Sequence, residues 1–198
     1  MDERVKQYDN IIIGIDPGTN VMGYGLIGIK NKKQIEMIAM GVIKLNRMDD
    51  HYLRLRRIFE RVSGVIAEFL PDEMALEAPF YGKNVQSMLK LGRAQGVAMA
   101  AALTHDIPIA EYEPRKIKMA ITGNGAASKE QVAAMIQRTM HIPQDDMPQF
   151  LDATDALAVA LCHYYERQKP TGNHGTTSWK SFIAQHPDRV KRDSRPDD

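Results

Sequence analysis

The sequence lacks the features that mark disulfide-stabilised or membrane proteins. It has one cysteine, Cys162, among 198 residues, which excludes an internal disulfide and suits a reducing compartment. No apolar run approaches the roughly 20 residues that a membrane-spanning helix needs, and the charged start of the chain has no hydrophobic signal core. We therefore expect a soluble, cytoplasmic protein without a membrane partner.

An excess of charge of either sign is also missing. The chain carries 26 Lys and Arg against 25 Asp and Glu, so no global basic signature indicates nucleic acid. Nucleic acid is still a possible partner, because phosphate binding requires only a local basic patch.

The length and the distribution of apolar residues predict one folded domain and a tail. A chain of this size can bury a substantial core within one domain. After Gln168 the composition turns polar and loses its apolar periodicity. We expect a domain over residues 1–167 and a mobile polar tail over residues 168–198.

Apolar periodicity within the domain predicts an α/β fold with a mixed five-stranded sheet flanked by helices. The predicted strands cover 11–16, 21–29, 35–45, 74–78 and 107–112, and the predicted helices cover 52–70, 87–104, 114–121, 128–140 and 151–167. A strand follows the first glycine turn, whereas a dinucleotide-binding fold opens that turn into a helix. The pattern therefore excludes a Rossmann fold.

The second predicted helix, over 87–104, is unusually rich in Gly and Ala. Small residues allow another backbone to come close. The helix is therefore expected to pack tightly on the sheet or, alternatively, to contact a second copy of the chain.

What the sequence does contain is four carboxylates in apolar surroundings: Asp16, Glu77, Asp152 and Asp155. Asp16 ends an Ile-rich strand, Glu77 lies in another strand, and the last two open an apolar helix. An unpaired buried charge is very costly, and none of these runs contains Lys or Arg. Hard oxygen ligands suit Mg²⁺ or Mn²⁺. The alternative is structural: Asp16 begins a turn, Asp152 caps a helix, and the other two pair with Lys or Arg.

The predicted topology can bring these four acids together. If the fourth strand pairs parallel to the first, Glu77 lies beside Asp16, and Asp152 and Asp155 share one face of the last helix. Four such carboxylates could hold two cations about 3.5–4 Å apart, which is an arrangement that hydrolyses phosphodiesters.

Three motifs resemble the signatures of the RuvC family of Holliday junction resolvases. They are Gly14-Ile15-Asp16-Pro17-Gly18-Thr19 with Gly23-Tyr24-Gly25, then Leu76-Glu77 with Phe80, Lys83-Asn84, Ser87 and Leu89-Lys90-Leu91-Gly92, and finally Asp152-Ala153-Thr154-Asp155-Ala156. They occur in order between about residues 11 and 167. The resemblance implies an RNase H-like fold, a homodimer and paired, Mg²⁺-dependent nicking of four-way DNA junctions in recombination and repair. It also implies a complex with a branch-migration helicase.

The resemblance also assigns roles to individual residues. It makes Asp16, Glu77, Asp152 and Asp155 the catalytic metal ligands, for two Mg²⁺ or Mn²⁺ ions per site, although some family members carry His at the position of Asp152. It places Lys118 and Lys129 near the scissile phosphates and Phe80 against the junction bases. Base stacking is worth about 1–3 kcal/mol, enough to hold an opened junction.

Local basic residues extend this expected DNA surface. Lys83 and Lys90 lie in or after the segment that contains Phe80, and Arg115 shares a predicted helix with Lys118. The arginines of the first predicted helix, among them Arg54, are assigned no role in the site, and the six histidines show no metal-binding spacing.

Three other functions compete with junction resolution. An ATP-dependent phosphotransferase of the sugar kinase and actin superfamily has a similar first turn, but it needs a second domain for which this chain is too short. A resolvase-like scaffold would bind junctions without cutting them, yet four anions facing a phosphate backbone oppose binding. An RNase H-like nuclease for RNA–DNA hybrids is the third alternative.

Overall fold

The computed structural model describes residues 7–48, 50–79 and 84–169. The elements are β1 (Asn10–Asp16), β2 (Val21–Lys30), β3 (Gln34–Lys44), α1 (His51–Phe69), β4 (Glu73–Glu77), α2 (Val85–Leu103), β5 (Ile109–Tyr112), α3 (Pro114–Thr122), α4 (Lys129–Thr139) and α5 (Leu151–Gln168). A short 3-10 helix over Gln144–Asp146, which the sequence pattern did not predict, precedes α5. Every predicted helix and strand is present, with its ends within two residues of the predicted ones.

Contacts within the chain group residues 1–166 into one unit and residues 167–198 into another. Of the second unit, the structure describes only Arg167, Gln168 and Lys169. The predicted tail over 168–198 therefore lies almost entirely outside the described residues, and its boundary and mobility stay predictions.

The five strands form one mixed sheet in the order β3-β2-β1-β4-β5. The first three strands form an antiparallel meander, while β4 pairs parallel to β1 and β5 pairs parallel to β4. Central β1 is apolar on both sides because helices cover both faces of the sheet. The predicted mixed sheet, including the parallel pairing of β1 with β4, is confirmed.

Helices α1 and α2 cover the first face of the sheet. The carboxylate of Asp50 begins α1 by accepting hydrogen bonds from the backbone N–H groups of Tyr52 and Leu53. Apolar side chains of α1, such as Ile58 and Ile66, then join a core with the residues of β1 that point to this side.

The alanine-rich helix α2 divides into two sides. Ala94, Ala98, Ala101 and Ala102 are buried in the core, which confirms the predicted tight packing. The other side is open: a Cβ atom added to Gly92 or Gly96 would meet no atom within 4 Å. The helix therefore packs through its alanines and leaves its glycines free.

Helices α3, α4 and α5 build a second core on the opposite face of the sheet. Residues 153–164 of α5 are all buried, including Cys162, as expected for a structural thiol. None of the described helices is both long enough and apolar enough to span a lipid bilayer.

Candidate active site

Two strand ends bring the first two predicted acids together. β1 and β4 run parallel, with Ile15 paired to Leu76, so the next residues, Asp16 and Glu77, end neighbouring strands at one edge of the sheet. Side chains alternate along a strand, and Glu77 points to the same face as Ala75, which packs in the core beside α5. This confirms the expected placement of Glu77 beside Asp16.

Helix α5 brings the other two acids to the same edge by lying directly on glycines of the sheet. A Cβ atom on Gly14 would lie 2.0 Å from the backbone oxygen of Ala156, and one on Gly23 would lie 1.9 Å from that of Asp152. One on Gly25 would lie 2.7 Å from the backbone nitrogen of Leu157. We call Gly14, Gly23 and Gly25 the glycine floor. The first turn of α5 is thereby held against the ends of β1 and β2.

A lysine from α4 lies among the acids. The Lys129 ammonium nitrogen is 2.5 Å from Asp155 Oδ2, 3.5 Å from Asp152 Oδ1 and 3.9 Å from Asp16 Oδ2. Its position is set by the start of α4, where Ser128 and Gln131 form a reciprocal capping box. We call Asp16, Glu77, Asp152 and Asp155 the acid cluster, and Lys129 is the cation in contact with three of its members.

Burial and mutual repulsion disfavour negative charge in the acid cluster. Burial, reinforced by the charge of Glu77, raises the pKa of Asp16 to about 8, although Lys129 opposes the shift. Burial also raises the pKa of Glu77, with Asp155 adding to the effect. The pKa of Asp155 is raised by burial despite its hydrogen bond with Lys129. Lys129 and the more distant charge of Lys118, which lowers the pKa of Glu77 and Asp155, thus compensate the cluster only in part.

The pKa of Lys129 shifts in the complementary direction. Its burial alone would lower the pKa, but the hydrogen bond that Lys129 donates to Asp155 and the charges of Asp155, Asp16 and Asp152 outweigh that effect and raise it. The ammonium therefore stays charged, and the cluster holds one fixed positive charge.

The donor atoms of the acid cluster fit a hard divalent cation. All four side chains offer carboxylate oxygens, which are the ligands that Mg²⁺ and Mn²⁺ favour. Within the described ranges, however, no three Asp, Glu, His or Cys side chains are already arranged around an ion position. The Lys129 ammonium stands among Asp16, Asp152 and Asp155 instead. The four carboxylates that could bind a cation are therefore close together, but in this structure three of them contact the Lys129 ammonium.

The predicted basic residues of the described part of the chain line different pockets. Arg115 and Lys118 line the cleft beside Glu77, together with Gly125. Lys90 instead borders a small pocket with His51 and Arg54 near the start of α1. The phosphate-tracking surface expected to run through these residues stays a prediction. Phe80 and Lys83 lie outside the described residues, so their predicted DNA contacts stay predictions.

One residue that was assigned no role supports the turn after Asp16. Arg54 donates hydrogen bonds from Nη1 to the Thr19 backbone oxygen and to Asn20 Oδ1, each 3.1 Å long, and from Nε to the Met48 backbone oxygen. This contact could not be predicted from the sequence, because an arginine in a helix is usually solvated and because Arg54 and Thr19 are 35 residues apart.

The sequence analysis also missed a group of polar side chains between α5 and the sheet. His163 of α5 lies between Glu73, 2.9 Å from Nε2, and the Tyr112 hydroxyl, 2.7 Å from Nδ1. Glu73 also accepts a 3.2 Å hydrogen bond from Asn10. We call Glu73, Tyr112 and His163 the histidine cluster. Its members share neither a motif nor a regular spacing that could have revealed it.

Comparison with protein families gives a match to the model "Crossover junction endodeoxyribonuclease RuvC" over residues 12–163. A RuvC of that description from Bacteroides fragilis is 62% identical over 183 residues, covering 92% of this chain and 97% of the relative. The RuvC of Porphyromonas gingivalis is 58% identical over 186 residues, covering 92% of this chain and 98% of the relative.

Solved structures show the same likeness at the level of the fold. The Thermus thermophilus RuvC in complex with a Holliday junction substrate has a TM-score of 0.72 and 31% identity, covering 80% of this chain and 95% of that one. The yeast mitochondrial Holliday junction resolvase has a TM-score of 0.56 at 11% identity, covering 77% of this chain and 78% of that one, and supports the fold alone. The RNase H-like fold predicted from the motifs is confirmed.

Proposed function

This chain belongs to the RuvC family of crossover junction endodeoxyribonucleases, and we propose that it resolves Holliday junctions by paired nicks in opposed strands. Recombination and DNA repair are the processes that supply such junctions. The observation that carries the proposal is the acid cluster, where carboxylates from two strands and one helix meet at a single edge of the sheet. Membership of this family also removes the ATP-dependent phosphotransferase as an explanation of the Asp16 turn.

We propose that Asp16, Glu77, Asp152 and Asp155 hold divalent cations, two Mg²⁺ or Mn²⁺ ions per site. Such ions would lower the pKa of an attacking water and stabilise charge on the leaving oxygen. The raised pKa values of Asp16, Glu77 and Asp155 support this role, because burial first and neighbouring acids second disfavour their negative charge despite Lys129. Buried carboxylates of this kind gain most from added positive charge.

The protein's own basic residues would position the DNA backbone. Lys118 lines both the cleft beside Glu77 and the smaller cleft that Lys129 and Asp155 share with Glu77, so a phosphate entering either cleft meets its ammonium. Arg115 lines the first cleft and packs against Gly125, where an added Cβ would lie 2.7 Å from Arg115 Cγ. Lys90 would contact a separate part of the junction. Phe80 is proposed to stack on junction bases, and Lys83 to bind phosphate, on the family resemblance alone.

Paired nicking requires two active sites, so we propose a homodimer. The outer side of α2 is a suitable interface, because Val85, Leu89 and Leu103 are 66%, 50% and 62% exposed and lie at helical spacing with the open glycines Gly92 and Gly96. A second copy could pack closely there. A complex with a branch-migration helicase and a cytoplasmic location are further proposals, which rest on the family resemblance.

The test is cleavage of a supercoiled plasmid that extrudes a cruciform, with Mg²⁺ and with EDTA. We expect linear product with Mg²⁺, because paired nicks across a cruciform linearise the circle, and no product with EDTA. Glu77→Gln is expected to reduce the rate at least about 10³-fold while junction binding persists, since a catalytic acid contributes chiefly to the transition state. Glu60→Gln, at an exposed position of α1, is the matched control and should cut normally.

Other outcomes of this experiment separate the alternatives. Nicked circles without linear product would contradict the coupled dimer. Binding without cleavage by the unmodified protein would favour a scaffold, and preferential cleavage of an RNA–DNA hybrid substrate would favour a hybrid nuclease. Normal cleavage by Glu77→Gln would contradict the assignment of the site.

A further inference from the structure

The position of Lys129 within the acid cluster has a consequence for cation binding. Its nitrogen lies within 3.9 Å of three carboxylates that come from two different elements, β1 and α5. The capping box of α4 fixes the backbone of Lys129 at the first position of that helix. The side chain itself is 52% exposed, so it can leave the cluster without disturbing α4.

The positive charge of Lys129 reduces repulsion within the acid cluster when no divalent cation is bound. Four carboxylates that are buried and close to one another repel, so negative charge on all four is disfavoured. Lys129 reduces this repulsion through direct contact with Asp155, Asp152 and Asp16. In the described part of the chain, it is the lysine for which ion pairs with the acid cluster are found.

We infer that Lys129 and a divalent cation bind the acid cluster in exchange, so that metal entry displaces the Lys129 ammonium from the carboxylates. This inference rests on the proposed function, because it concerns the metal site of that nuclease. Two cations cannot share the oxygens of Asp155 at hydrogen-bond and coordination distance without strong repulsion. The displaced side chain has a nearby destination, since Lys129 also lines the cleft formed with Glu77, Lys118 and Val132. A scissile phosphate bound in that cleft would receive the ammonium that the acids release.

Binding of Mn²⁺ to the DNA-free protein, measured by isothermal titration calorimetry, tests the exchange. Lys129→Gln removes the competing charge, so this variant is expected to bind Mn²⁺ about tenfold more tightly than the unmodified protein. Lys129→Arg keeps the charge and should bind like the unmodified protein. Lys116→Gln is the matched control, because Lys116 pairs with Glu166 at 2.8 Å, and its affinity for Mn²⁺ should not change.

Thermal unfolding gives a second readout on the same proteins. In EDTA, Lys129→Gln is expected to melt at a lower temperature than Lys129→Arg, because four acids remain without their counter-ion. Saturating Mn²⁺ should remove most of that difference. NMR of the unmodified protein with ¹⁵N-labelled lysine gives a third readout, which does not depend on a variant: Mg²⁺ should move the Lys129 Nζ signal.

Three results would overturn the exchange. They are equal or weaker Mn²⁺ binding by Lys129→Gln while the unmodified protein binds, a Lys129 Nζ signal that is insensitive to saturating Mg²⁺, or equal melting of the glutamine and arginine variants in EDTA. Failure of the unmodified protein to bind Mn²⁺ at all would overturn the exchange together with the proposed metal site. Tight binding by the unmodified protein with no effect of Lys129 would overturn the exchange alone.

Discussion

The acid cluster and the histidine cluster share two elements, β4 and α5, but their charged groups are compensated differently. β4 contributes Glu77 to the first and Glu73 to the second, and α5 contributes Asp155 and His163. Glu73 has hydrogen-bond partners on both oxygens, Asn10 and His163. Glu77 instead lies among other acids, and burial raises its pKa. Satisfied polar groups stabilise a fold, whereas crowded like charges are kept where chemistry needs them.

The hydrogen-bond roles in the histidine cluster follow from its chemistry. A carboxylate only accepts, so Nε2 of His163 carries the proton and donates to Glu73. Nδ1 then accepts from the Tyr112 hydroxyl. Each described side-chain group thus meets a complementary partner, and this cluster joins α5 to β4 and β5.

The largest expected effect comes from breaking the histidine cluster. His163→Ala would remove one of the two donors of half-buried Glu73 and leave a cavity beside it, and we expect a loss of about 3 kcal/mol in the free energy of unfolding. Urea denaturation measures it, with His105→Ala as the control at an exposed position. Cleavage below the melting temperature should persist, since His163 belongs to the structural cluster. A variant of normal stability that fails to cut would show that the two clusters act as one.

A smaller loss of folding stability is expected from a substitution at the contact between α5 and β1, which lies between the two clusters. Gly14→Ala puts a methyl group into the backbone of Ala156, which should cost about 1–3 kcal/mol and slow cleavage by moving Asp152 and Asp155. Gly64→Ala on α1, where an added Cβ meets no atom within 4 Å, should instead stabilise by about 0.5–1 kcal/mol. Equal melting temperatures for the two variants would contradict the close contact between α5 and β1.

The smallest expected effect is a pH dependence of folding stability, which comes from the acid cluster. The pKa of Asp16 is raised from 3.8 to about 8 in the folded protein, so between these values the folded state holds more proton than the unfolded state. The contribution of Asp16 to stability therefore falls as pH rises from about 4 to 8 in EDTA. Asp16→Asn removes this contribution. At pH 8 we expect the free energy of unfolding of this variant to be higher than that of the unmodified protein by on the order of 1 kcal/mol.

Thermal unfolding over this pH range checks the prediction. A difference of 1 kcal/mol corresponds to roughly 2–4 °C at this chain length. Mg²⁺ should flatten the pH dependence of the unmodified protein, because a bound cation favours the charged carboxylates. A stability that rises with pH in EDTA would contradict the assigned shift of Asp16.

The sequence predicted the features that depend on local pattern. Strand and helix periodicity predicted the mixed sheet, and Glu77 was expected beside Asp16 on the condition that the fourth strand pairs parallel to the first. The four acids were recognisable because each one lies within or at the end of an apolar run. Motif resemblance added the family, which the comparisons confirm.

Contacts between distant segments could not be predicted in the same way. Lys129 was expected near phosphates, but its insertion among the acids depends on how α4 is placed beside α5. Likewise, His163 meets Glu73 across 90 residues of sequence. Spacing along one element does not encode these distances, which arise only when the elements pack.

The glycine floor also determines when the protein can acquire activity during its synthesis. A ribosome completes β1 to α4 before it makes α5, so a nascent chain at that stage holds Asp16 and Glu77 without Asp152 and Asp155. The second core also lacks its central helix until then, since residues 153–164 of α5 are all buried in it. Docking of α5 on Gly14, Gly23 and Gly25 therefore completes the second core and the acid cluster in a single late step, and we expect incomplete chains not to cut DNA.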